Sequence, residues 1–197
     1  MPKIVFIFIR EFTGIFHHIL YKLRGLKIMK FVVQNPDNTE DNYEIISGAP
    51  GDMLEDETIQ ACICRIWRQL IDKENEYRAS FGIKYASQYV MDDPIIDAIK
   101  KSKEKIYIVK KAENIIGMAC TSNTSFDNIY NISDVVILEE FRGKGIGKVL
   151  LEHILEDNVP RVPTLGVELE NKHAVDLYRS MGFVEYSMKM VLAPKAE

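Results

Sequence analysis

The chain has 197 residues, enough for one well-buried domain with modest appendages. Its 47% apolar and 27% charged residues are those of a globular protein, and a net charge of −4 gives no electrostatic footprint for nucleic acid. Cys62, Cys64 and Cys120 make no even set and no C-x-x-C motif, and the four histidines lack metal-ligand spacing, so we expect a reducing, cytoplasmic setting and no metal.

The first 28 residues stand apart. Lys3, Arg10, Lys22, Arg24 and Lys27 face a single acid, Glu11, and Phe12, Ile15, Phe16, Ile19, Leu20 and Leu23 fall on one helical face. Arg10-Glu11 breaks the apolar run, so neither part approaches the ~20 apolar residues of a spanning helix. No small-residue cleavage site follows, which speaks against a secretory signal. Two readings stay open: a basic amphipathic segment making weak contact with a membrane or partner surface, or an upstream extension with the working start at Met29. The polar stretch 35–42 isolates this segment and favours the second. The expected organisation is an extension over 1–28, a polar linker over 29–42 and a domain over 43–197.

Within that domain, 43–47 reads as a first strand, closed by Gly48-Ala49-Pro50-Gly51-Asp52. Helix is expected over 55–76, with Ile59, Ile63, Ile66, Leu70 and Ile71 on the inner face, and again over 85–101, with Pro94 opening its last part. Strands 105–111 and 115–121 form a hairpin through Ala112-Glu113-Asn114, and a polar loop follows over 122–130. Strand 132–138 then runs into a glycine turn and a helix over 146–157. Strand 164–169, helix 172–181 and a last strand 183–192 complete an α+β order with a mixed sheet.

The glycine turn carries the strongest signal. Gly143, Gly145 and Gly147 alternate where apolar Val135, Val136, Ile137 and Leu138 give way to a helix. Glycine there frees the backbone and exposes successive N–H groups, and a helix start favours an anion. Arg142, Lys144 and Lys148 add positive charge. A dinucleotide fingerprint, G-x-G-x-x-G, fails by one residue, and a nucleotide P-loop fails because Val149 stands where Ser or Thr is required.

What fits is R-x-x-G-x-G, met by Arg142, Gly145 and Gly147. Asn171, Ala174, Leu177, Tyr178, Gly182 and Phe183 meet N-x-x-A-x-x-L-Y-x-x-x-G-F one helix and one strand later. Over about residues 134–183 the chain thereby resembles the GNAT superfamily of N-acetyltransferases. The resemblance is looser toward the N-terminus, where it rests on element order and on Ile66-Trp67-Arg68-Gln69-Leu70-Ile71.

The resemblance implies a mixed, mostly antiparallel sheet flanked by helices, with acetyl-coenzyme A as co-substrate and a small-molecule or protein amine as acceptor. It implies that Arg142, Gly143, Lys144, Gly145, Ile146, Gly147 and Lys148 hold the pyrophosphate. Backbone groups of Val135, Val136 and Ile137 would pair with the pantetheine arm, in a gap between two splayed parallel strands, and one such N–H would stabilise an oxyanion. Asn171 would be both a helix cap and a pantetheine contact. Tyr178 would be the general acid for the departing thiolate, whose pKa as a free thiol is ~8.5. No base stands out: Asp134, Glu168, Glu170 and a water chain all remain open. A non-catalytic acyl-coenzyme A-binding module is the alternative that the cradle alone would also permit.

Overall fold

The computed structural model describes residues 4–6, 26–82 and 92–190. Among these residues, seven strands form one sheet in chain order: β1 (Ile4–Phe6), β2 (Lys27–Gln34), β3 (Glu40–Gly48), β4 (Lys105–Lys111), β5 (Asn114–Asn123), β6 (Ile129–Ile137) and β7 (Val162–Leu165). Every neighbouring pair is antiparallel except β6 and β7. Helices α1 (Pro50–Met53), α2 (Glu57–Ala79) and α3 (Asp92–Ser102) precede β4, while α4 (Ile146–Asp157) and α5 (Lys172–Ser180) flank β7 in sequence.

The sheet is buried on both faces. Ile106, Ile108, Met118 and Val136 point to one side and pack with Met53, Ile63, Ile66, Ile95 and Ile99 of α1, α2 and α3. Phe31, Tyr43, Ile45 and Tyr107 point to the other, against Ile146, Val149, Leu150 and Ile154 of α4 and Tyr178 of α5. Each fully buried aliphatic side chain of α4 contributes about 1.5–3 kcal/mol, so α4 is fixed firmly on the sheet. The α2 helix starts where the Asp56 side chain accepts the N–H groups of Thr58 and Ile59.

Three parts of the sequence reading need correction. The stretch 29–42, read as a linker, is mostly β2 and a hairpin turn. Alternating Phe31 and Val33 are buried, Phe31 stacks on Tyr43 at 5.3 Å, and Asn38 takes a left-handed φ of 64° in the turn. Polar side chains at 35–42 mark that turn and not a boundary. Strand β7 ends at Leu165, short of the expected 169, because the chain turns back so that the Asn171 N–H meets the Glu168 carbonyl. Residues 183–190 form no strand although Val184, Tyr186, Met188 and Met190 alternate; all four are exposed. Alternation yields a strand only where a ladder partner exists, and Pro163 in β7 offers no N–H to extend one. The amphipathic reading of 12–23, the helix start at 85–91 and residues 191–192 lie outside the described residues.

One polar knot fastens the end of α4 to the sheet. The Asp157 carboxylate is 3% exposed and receives Lys105 Nζ at 2.6 Å and the Tyr107 hydroxyl at 3.0 Å, with Lys27 of β2 also bound to it. Burial opposes its ionisation, and the bonds from Lys105 and Lys27 overcome that, holding the carboxyl at about 2. Because the folded value lies below the unfolded one, this stabilisation is complete above about pH 4 and disappears as pH falls through 2. Asp157→Ala leaves Lys105 without its partner and should cost roughly 3 kcal/mol in urea unfolding at pH 7. The gap between variant and parent should narrow at pH 2–3; a constant gap would show that the carboxylate charge is not what binds α4.

Candidate active site: an anion cradle beside an open strand

After β6, Glu139–Phe141 form one 3-10 turn and Arg142 is extended. Gly143 and Gly145 then take left-handed φ values of 75° and 82°, with Gly145 as N-cap of α4. A side chain at either position would be strained. Among the described residues, the backbone N–H groups of 143–147 donate to no acceptor in the chain, whereas those of Lys148 and Val149 bond to the Gly145 carbonyl. Five successive free donors at the start of a 12-residue helix make a concave positive site that suits a phosphate-sized anion.

The cationic side chains of the loop point elsewhere. Arg142 Nε donates to the Ile137 carbonyl at 2.7 Å. Lys144 sits 3.5 Å from Asp41, which also binds Lys111 at 2.8 Å, and Lys148 is 3.8 Å from Glu152. The Lys111 bond is the main reason that the Asp41 carboxyl falls to about 2. Backbone dipoles therefore form the cradle itself, and the lysines contribute from its rim.

Next to the cradle the sheet opens. Strands β6 and β7 pair only from Ile129↔Val162 to Ile132↔Leu165, so among the described residues β6 has no neighbouring strand on that side from Ser133 onward. The Leu138 N–H bonds to the Ile116 carbonyl at 2.8 Å, and antiparallel alternation from there turns Val136 toward β5 and Ile137 away from it. Of the three residues expected to offer backbone groups, Val135 and Ile137 face the opening; Val136 spends its own on β5, and the Ile137 carbonyl is taken by Arg142.

Helix α5 forms another wall. Asn171 caps it by accepting the Ala174 N–H at 3.3 Å. Leu177 reaches to within 3.8 Å, and Ile137 to within 3.7 Å, of where a Cβ on Gly147 would lie, so cradle, open strand and α5 meet at one glycine. Tyr178 is 9% exposed, edge-on to Phe183 at 5.9 Å, and its hydroxyl has no hydrogen-bond partner among the described residues. Burial pushes the phenol pKa up, which keeps it a proton donor.

The acidic candidates are already engaged. Asp134 binds Lys103 at 2.7 Å, Glu168 lies 3.5 Å from Arg78, and Glu170 is exposed. Sequence reasoning missed Glu74, which shares Arg78 at 3.2 Å. Burial pushes its carboxyl up; Arg78 opposes that, and the charges of Asp134 and Glu168 add to it. The Glu74–Arg78 spacing of four on a helix was the one readable sign of it. No group of His, Cys, Asp and Glu among the described residues could hold a metal ion. No described helix is long and apolar enough to cross a membrane.

The acetyltransferase (GNAT) family model matches residues 67–183. The fold is similar to that of an aminoglycoside acetyltransferase from an uncultured soil metagenomic sample, solved with sisomicin: 13% identity, 79% of this chain and 97% of that one covered, TM-score 0.54. It is also similar to a possible acetyltransferase from Clostridium difficile 630, at 21% identity over 79% and 99% of the two chains, with a TM-score of 0.52. No curated protein matches the chain. The chain belongs to the GNAT acetyltransferase family, whose members transfer acyl groups from acetyl-coenzyme A.

Gly145→Val should therefore weaken coenzyme A binding at least tenfold, ~1.4 kcal/mol, because valine resists a left-handed φ and turns the cradle N–H groups aside. Calorimetric titration of the folded variant reads this directly. Unchanged affinity would remove the glycine turn from the binding site.

Proposed function

We propose that the protein is an N-acetyltransferase that passes an acetyl group to a primary amine by direct attack within a ternary complex. The observation that carries this reading is the meeting of the free cradle donors, the open edge of β6 and Leu177 of α5 at Gly147, with the unpartnered Tyr178 hydroxyl on the same helix. In this reading the N–H groups of Gly143, Lys144, Gly145, Ile146 and Gly147 bind the pyrophosphate, with Arg142, Lys144 and Lys148 lending charge. The free N–H of Ile137 and the outward carbonyl of Val135 take the pantetheine arm, Val136 holds the strand between them, and Asn171 lines the far side.

Acetyl-coenzyme A supplies an acetyl group already activated as a thioester. The chain's part is to orient it, stabilise charge and move protons. An outward N–H of β6 meets the negative charge that develops on the acyl oxygen; fixed donors of this kind act without reorganisation. Tyr178 gives its proton to the departing sulfur. The incoming ammonium, with a pKa near ~10.4 in water, must lose a proton before attack. Glu74, whose carboxyl burial raises and which shares Arg78 with Glu168, takes that proton, directly or through water.

Tyr178→Phe keeps the ring and its contact with Phe183 while removing the proton donor. Turnover should fall ~10²–10⁴-fold with coenzyme A affinity and melting temperature little changed. The assay is release of free thiol from acetyl-coenzyme A with a panel of amino acids, polyamines, aminoglycosides and peptide N-termini. Coenzyme A binding without thiol release on any amine would favour a binding module. Full turnover of Tyr178→Phe with an unaltered alkaline limb of the pH–rate profile would contradict the role of the phenol.

A further inference from the structure

The bulge in β6 has an unusual owner and an unusual clamp. Ser133 pairs with Cys120 and Val136 with Met118, so both turn their backbone groups to β5. A regular strand would hold one residue between two such positions, but β6 holds two, Asp134 and Val135, opposite the single Ala119. Asp134 absorbs the extra length with a φ of 55°, a left-handed conformation that a side chain ordinarily resists. The bulge lies just past Ile132, the last residue of β6 that pairs with β7. Counted back from Val136, alternation turns the backbone of Val135 toward the open side.

Such a conformation persists only where its surroundings hold it. Here a closed triangle does so. Lys103 Nζ lies 2.7 Å from Asp134 Oδ2 and donates to Ser133 Oγ at 2.8 Å, and Ser133 Oγ donates to the same Oδ2 at 2.8 Å. Lys103 and Asp134 side chains are only 13% and 15% exposed, so water competes weakly for either. Lys103 follows directly on α3, where its N–H bonds to the Ile99 carbonyl at 2.9 Å, and β4 begins two residues later. The clamp thus ties the bulge to a rigid corner.

We propose that Lys103 is a positioning residue for acyl transfer: through Asp134 and Ser133 it locks the β6 bulge so that the Val135 N–H stands in the gap, ready for the developing oxyanion. This rests on the reading of the gap as the acyl-transfer site. Lys103 touches no reacting atom and acts only through the backbone it fixes.

The test compares Lys103→Met with the double variant Lys103→Met/Asp134→Gly, since glycine reaches a left-handed φ without a clamp. In Lys103→Met, kcat should fall at least about tenfold, toward the size of losing one oxyanion donor, while KM for acetyl-coenzyme A stays within about twofold. In the ligand-free protein the Val135 amide resonance should shift in an 1H–15N spectrum. The double variant should recover both the resonance position and most of kcat. An unmoved Val135 amide in Lys103→Met would overturn the proposal, as would a double variant no faster than the single one, which would make Asp134 a proton carrier. If Lys103→Met does not fold, Ser133→Ala removes one side of the triangle more gently; a Val135 shift with several-fold lower kcat supports the clamp, and neither change overturns it. Failure of the wider reading looks different, because there the parent protein itself binds coenzyme A and releases no thiol with any amine.

Discussion

Backbone N–H and C=O groups within a sheet ordinarily find partners across the ladder, and among the described residues β6 stops finding a partner strand on one side after Ile132. The chain beyond that point follows from this constraint. With β7 turned away at Leu165, the outward groups of Val135 and Ile137 face an opening instead of a neighbouring strand among the described residues. A few residues further on, Gly143 to Gly147 leave five more donors without a partner among the described residues. Two adjacent sets of unsatisfied backbone donors, one linear and one concave, are what a ligand with an extended amide-bearing arm and a pyrophosphate would complete.

Charge is distributed to suit that division of labour. Net negative charge and a loop whose cations are engaged by Ile137, Asp41 and Glu152 leave the backbone N–H groups as the loop's free donors among the described residues. A helix dipole acts over the first turn and does not rearrange when ligand arrives, whereas lysines must give up their partners. Arg142 is the clearest example: while it holds the Ile137 carbonyl it also straightens the junction from strand to cradle. Rigidity continues behind the site, where Asp157 fastens α4 at its far end and the buried aliphatic face of α4 fastens the rest.

Local chemistry was legible in the sequence, and long-range chemistry was not. The glycine turn, α4, the Asn171 cap and Tyr178 sit inside short runs whose spacing carries its own physical reason, and α5 meets the turn through Leu177 at Gly147. The extents of β2 and β7 and the residues 183–190 were misread for a common reason. Alternation and polarity describe what a segment could bury, while a strand needs a partner outside the segment, as Phe31 finds Tyr43 and Met190 finds none among the described residues. The clamp on Asp134 was likewise invisible, since nothing marks Lys103, some thirty positions earlier, as its partner. Glu74 was hidden among the charges of an amphipathic helix, and only folding sets it beside Asp134 and Glu168.

The claim at the centre of this account is that unpaired backbone donors of the cradle and of β6 together hold one ligand. Titrating the 15N-labelled protein with coenzyme A tests it amide by amide. The account predicts that the amides of residues 143–147, Val135 and Ile137 shift together and saturate with a single affinity. Saturable shifts elsewhere on the protein, with these seven amides unmoved, would contradict it.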